Sequence, residues 1–288
     1  MSDTVSRFLL ENLDIRGAVV HLDVAWQAMQ AGRDYAPAAR DLLGQMAAVT
    51  ALIGSNLKTP GRLSFQVQGH GALRLMVVDC DEQLRLRGLA KLSDEAPTDL
   101  ASAPIPALLG DGQLVLTLQT NAALDRPYQS FVPLQGDTVA EIFEHYLETS
   151  EQAPSRLWLM ADGTRACGLF LQKLPDADKK DEDGWNRIQM LADTVKTGEL
   201  ALPAEELLGR LFPEEDVRLF SPSLATYHCP RDEEKVLNML RSLGREELAG
   251  LLAEKGEIVI LDDICNHTYR YGPEVLDQLY PPIKRTLH

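Results

Sequence analysis

Two cysteines, Cys229 and Cys265, bracket a helical segment late in the chain and are the residues best placed to do chemistry. They lie in Thr226-Tyr-His-Cys-Pro-Arg231 and in the stretch Gly256 to Tyr271, at the two places where a small metal knuckle would keep paired thiolates. A thiolate is both a metal ligand and a redox nucleophile, and two thiols can also join as one disulfide. Such a bond would close a loop of about 36 residues and contribute about 4 kcal/mol in the chain-entropy picture. It would staple the segment when oxidised. In the reduced state the same two side chains act as small hydrophobes.

Other chemistry-bearing residues point to packing or to turns. Cys80 follows an apolar strand and Cys167 lies inside one, so core positions are expected for both. His70 sits between two glycines, as a turn residue does, and His145 falls on the solvent side of its helix. The carboxylate run Asp176 to Asp183 lacks the glycine placement and closing glutamate of a calcium loop, and two lysines interrupt it. No phosphate loop, nucleophile elbow or zinc-protease helix motif is present. An enzyme is not expected.

The elements that must position these residues are mixed. Pro37 opens a helix whose apolar stripe, Leu42, Leu43, Met46, Val49, Leu52 and Ile53, runs to about Leu57. Leu63, Phe65 and Val67 alternate with polar residues, and Gly69-His70-Gly71 turns the chain into Leu73 to Asp79 as a hairpin. A short strand ending before Gly88 is expected around Leu84 and Leu86, with further strands at Leu114 to Leu118 and Tyr128 to Leu134. Asp137 is placed to cap a helix that aligns Val139, Ile142, Phe143, Tyr146 and Leu147. Two strands, Leu157 to Met160 and Ala166 to Leu171, flank the turn Ala161-Asp162-Gly163.

After Pro175 the composition turns acidic, and two amphipathic helices follow, one carrying Trp185, Ile188, Leu191 and Val195, the other Leu207, Leu208 and Leu211. Beyond Cys229, two short helices meet at Gly244, Gly256 stops the second, and Glu257 to Leu261 pairs with Thr268 to Tyr271. The fold class is therefore α+β. A mixed core spans residues 1–175, an acidic and helical linker 176–225, and a small helix-plus-hairpin domain 226–288.

With 288 residues and 45% hydrophobic content, the chain can bury a substantial core. Acidic residues outnumber basic ones 43 to 28, and the net charge of -15 opposes nucleic acid or an anionic membrane as partner. Charges interrupt the N-terminal apolar residues too early for a signal peptide, and no apolar run is long enough to span a bilayer. A cytoplasmic location is expected, where four scattered cysteines stay reduced by default.

The stretch 131–157, FVPLQGDTVAEIFEHYLETSEQAPSRL, resembles the redox-regulated bacterial holdases of the thirty-three-kilodalton heat-shock chaperone family. Collinear matches are Arg7-Phe8, Arg16-Gly17, Gly168 to Pro175, Thr194 to Leu200 and Gly256-Glu-Ile258, so the likeness spans the chain. It implies an ATP-independent chaperone whose partners are unfolding client proteins and which forms a homodimer when active. In the family a C-x-C pair and a C-x-x-C pair hold one zinc, and oxidation expels the metal and unfolds the C-terminal half. Metal binding contributes on the order of 10 kcal/mol to folding such a module, which is why thiolate oxidation can switch it.

Carried over by position, half of that motif is missing. The C-x-C pair corresponds to Tyr227-His228-Cys229 and the C-x-x-C pair to Asp262-Asp263-Ile264-Cys265, so a tyrosine and an aspartate stand where thiols are expected. Zinc, if bound, would have to draw on Cys229, Cys265, His228, Asp262 and His267. A metal-free packed domain is the favoured reading, with no cofactor and with redox control weakened or lost. Cys229 and Cys265 are the redox-active candidates, through zinc or a disulfide, if a switch is retained.

Overall fold

The structure, a computed structural model, describes residues 3–57, 60–94, 96, 104–120 and 126–281. The chain divides into two compact units, the first ending at His228 and the second beginning at Cys229. The acidic and helical segment 176–225 lies within the first unit.

The first unit runs β1 (Thr4–Leu10), β2 (Ile15–Leu22), α1 (Val24–Gln30), α2 (Pro37–Gly54), β3 (Gly61–Gln68), β4 (Leu73–Asp81) and β5 (Arg85–Leu92). Then come α3 (Ile105–Leu109), β6 (Gln113–Thr120), β7 (Tyr128–Val132), α4 (Val139–Ser150), β8 (Ser155–Ala161) and β9 (Ala166–Lys173). Helices α5 (Ala177–Lys180), α6 (Gly184–Ala192) and α7 (Ala204–Leu211), with a 3-10 helix at Thr197–Ala201, lead to three short strands. These are β10 (Val217–Leu219), β11 (Ser223–Leu224) and β12 (Thr226–Tyr227).

One sheet has the order β10-β1-β2-β9-β8, with β11 also on β1, and the other the order β12-β5-β4-β3-β6-β7. Helix α2 packs against β2, β8 and β9 of the first sheet and against β3, β4 and β5 of the second. That position explains its composition: Leu43, Ala47, Ala48, Val49, Ala51 and Leu52 are all fully buried, so the helix is apolar around most of its girth. The one buried hydroxyl among them, on Thr50, donates to Met46 O at 2.6 Å and so carries no unpaired polar group into the core. The expected hairpin of β3 and β4 forms in register, with Phe65 opposite Val78, and Phe65 meets Phe143 of α4 edge-on at 4.8 Å.

Three local expectations differ. The cap of α4 is Thr138, whose hydroxyl accepts from Glu141 N at 3.2 Å while Glu141 Oε2 accepts from Thr138 N at 3.2 Å. Asp137 instead contributes its own N–H to Glu141 at 2.7 Å, because the extended backbone at Thr138 aims that hydroxyl at the first turn. Strand β5 continues through Gly88 to Leu92, and a Cβ at Gly88 would meet Val77 O at 2.7 Å, so glycine here marks close approach of two strands. His145 is half-buried rather than solvent-facing.

The other face of the first sheet is covered by the linker helices. Phe8, Ile15, Val19, Leu169 and Leu171 pack against Ile188, Leu200, Leu207, Leu208 and Phe212. Buried His21 fastens this layer, its Nε2 donating to Leu200 O at 3.1 Å. Burial, partly offset by that bond, holds the imidazole pKa below its ordinary value, so it is the neutral ring that fits. The acidic run is structured by ion pairs, Lys173 with Asp178 at 2.6 Å and Arg187 with Asp181 at 2.9 Å.

The second unit comprises α8 (Glu233–Leu243), α9 (Arg245–Lys255), the antiparallel pair β13 (Ile258–Asp262) and β14 (His267–Tyr271), and α10 (Val275–Leu279). Gly244 and Gly256 have φ of 90° and 76°, conformations that only glycine adopts cheaply, and each separates one element from the next. The core is small: Leu240, Leu248, Leu252, Tyr269, Tyr271, Val275 and Leu279. Among the described residues no helix is long and apolar enough to cross a membrane.

Candidate redox site and client surface

Cys229 and Cys265 are joined as a disulfide, with their Cα atoms 5.5 Å apart across a sequence separation of 36. Each is positioned by a local device. Cys265 sits in the turn between β13 and β14, where Asp262 Oδ1 accepts from Ile264 N at 3.0 Å and from Cys265 N at 3.3 Å. The turn is completed by Asn266 in the left-handed region at φ 54°, a conformation asparagine tolerates. Cys229 lies just ahead of α8, whose cap is Asp232: its carboxylate accepts from Lys235 N at 3.0 Å, and its own N–H donates to Tyr269 Oη at 2.9 Å. That last bond ties the start of α8 to β14, and the disulfide ties the same two regions covalently.

The remaining candidate ligands do not complete a zinc site. Tyr227 is on β12 and packs against the first unit's core, and His228 is exposed at the end of that unit, its N–H donating to Leu86 O at 2.9 Å. Asp262 spends its oxygen on the turn, and His267 keeps a buried Nδ1 without a hydrogen-bond partner. Among the described residues no three His, Cys, Asp or Glu side chains gather closely enough to hold a metal. Two thiols bonded to each other are not donors, so these residues do not fit the family's four-thiolate centre.

Cys80 and Cys167 behave differently. Both are buried and free, and burial pushes each thiol up to about 12, so neither supplies a thiolate near neutral pH. His70 is exposed in its turn, its backbone N–H donating to Leu109 O at 2.9 Å.

A second feature is the apolar face that the linker helices cover. The layer under α6 and α7 buries an almost wholly hydrocarbon face, and β10 and β11 lead away from it along the edge of β1. Sequence reasoning missed β1, β2, α1 and these strap strands. The Ile15–Leu22 strand is buried on both faces and so lacks alternation, while strands of two or three residues carry no periodicity.

Comparison with known proteins adds the following. The family described as Hsp33 protein matches residues 3–272. A 33 kDa chaperonin of Methylobacillus flagellatus is 44% identical over 283 residues, covering 97% of this chain and 95% of its own. One from Chromobacterium violaceum is 40% identical, covering 96% and 94%. The crystal structure of a 33 kDa chaperonin from Thermotoga maritima matches in fold with a TM-score of 0.81 at 22% identity, over 97% of this chain and 98% of that one.

Proposed function

The chain belongs to the Hsp33 protein family, and on that premise we propose that it is a holdase chaperone that binds unfolding proteins without nucleotide turnover. The observation that carries this is the collinear, full-length match to relatives named 33 kDa chaperonin, joined to a fold whose linker layer buries an apolar face. Clients would meet that face and the helices that cover it. Cytoplasmic action and homodimer formation in the active state belong to the same proposal and rest on the family resemblance.

Control is proposed to differ from the family's zinc switch. Lacking two of four thiolates, the second unit holds its fold through apolar packing, and oxidation adds the Cys229–Cys265 bond. Oxidation then staples the unit where loss of zinc would unfold it. Redox control of the unfolding kind is weakened or lost, and heat or reduction loosens the unit instead. The experiment is suppression of thermal aggregation of a client at stoichiometric protein, without nucleotide, with and without peroxide. Suppression that peroxide does not raise is expected. Absence of suppression under both conditions would overturn the holdase reading, and activation by peroxide that Cys229→Ser abolishes would overturn the staple reading in favour of a retained switch.

A further inference from the structure

Among the described residues, the outer edge of β1 is closed by the strap that follows α7. Phe8 pairs with Leu219 and Leu10 with Val217; after a break at Pro222, which has no N–H to give, Val5 pairs with Ser223 and Thr4 with Leu224. Phe220 N–H donates to Arg7 O at 2.9 Å, Ala225 N–H to Asp3 O at 3.0 Å, and Glu11 N–H to Asp216 O at 3.3 Å. By the alternation of an antiparallel ladder, Asp3, Val5, Arg7, Leu9 and Glu11 turn their backbone groups outward. The strap holds on with little else. Leu219, Phe220 and Leu224 are 39%, 38% and 66% exposed, the Arg218–Glu11 ion pair is exposed, and the apolar anchors are buried Ala225 and half-buried Val217, which packs against the linker-layer core.

An edge of this kind accepts any extended chain, and the strap itself shows what fits: short, apolar, antiparallel segments. We infer that release of the strap opens β1 to strand addition by an extended apolar segment of an unfolding client, which replaces residues 217–224 on the sheet edge. This rests on the holdase reading and names how part of the client is held. Backbone bonding gives affinity without demanding a particular sequence, which suits a binder of many clients. The opposite edge of this sheet, β8, packs beside α4 and the 3-10 helix and is not open in the same way.

The test uses the full chain carrying Arg218→Pro and Ser223→Pro, which removes two strap donors at exposed positions and leaves β1 untouched. Amide hydrogen exchange is followed at Val5, Arg7 and Leu9, with a thermally unfolding protein as client. The expected result is fast exchange in the variant, slowed by at least about tenfold when client binds, and competition by a peptide of residues 216–227. Should the variant fail to fold, the same amides are followed in the wild-type chain warmed with client, with the same expectation. Client captured while those amides stay fast would overturn strand addition and leave the holdase reading standing. Protection of the amides by self-association without client would overturn the client as occupant. If neither protein captures client under any condition, the holdase reading falls and this inference with it.

Discussion

The two units bury their apolar residues on different scales, and their cysteines follow suit. The first unit packs α2 between two sheets and encloses Cys80 and Cys167 as neutral, inert thiols. The second has, among the described residues, a core cluster of seven buried side chains, and places its cysteines at a helix start and a hairpin turn, joined to each other. A large core needs no staple, whereas a small one rarely supplies more than about 3–5 kcal/mol and draws on a metal or a disulfide. The Cys229–Cys265 bond therefore matters to the second unit in a way that neither buried thiol matters to the first.

The comparison breaks most readily at the disulfide. Cys229→Ser, or reduction, is expected to cost the second unit about 4 kcal/mol, so limited proteolysis should begin within 229–281 while the first unit stays intact. Equal protease resistance of 229–281 with and without the bond would contradict the staple. Next in size, Leu52→Ala empties a fully buried site in α2 and should cost about 3 kcal/mol. Thermal unfolding of the first unit should move down, with protease resistance of the second unchanged.

Thr138→Ala removes the hydroxyl half of the α4 capping box and should cost about 1 kcal/mol, read as a smaller shift of the same transition. Acidification acts through His21. Its folded pKa is lowered, so its contribution is complete above the ordinary value of 6.5 and is lost as pH falls below it, when the unfolded ring takes the proton first. Protease sensitivity of 184–212 should rise on acidification in the wild type, and His21→Gln should flatten that pH dependence. The smallest effect is expected from Cys167→Ala: with a thiol held near 12, it should leave the response to peroxide unchanged.

Much of this architecture was legible in residue order. The stripe of α2, the β3–β4 hairpin, the face of α4 and the two helices meeting at Gly244 all follow from periodicity and turn chemistry, because each buries one predictable set of side chains. Strand β2 was not legible, since a strand covered on both faces reads as an undivided apolar run. The end of β5 was misplaced at Gly88 for a related reason: the glycine answers to Val77 on the neighbouring strand, which local pattern does not reveal.

The sequence by itself determined the family and the α+β class, since these depend only on which residues stand where, and it puts Tyr227 and Asp262 at two positions where the resemblance implies thiols. Tertiary structure decided that Cys229 and Cys265 pair and where the strap lies. Both are matters of distance between segments far apart in the chain: Cys229 meets Cys265 because Asp232 and Tyr269 draw α8 onto β14, and residues 217–224 reach β1 because its outward backbone groups were left to be paired.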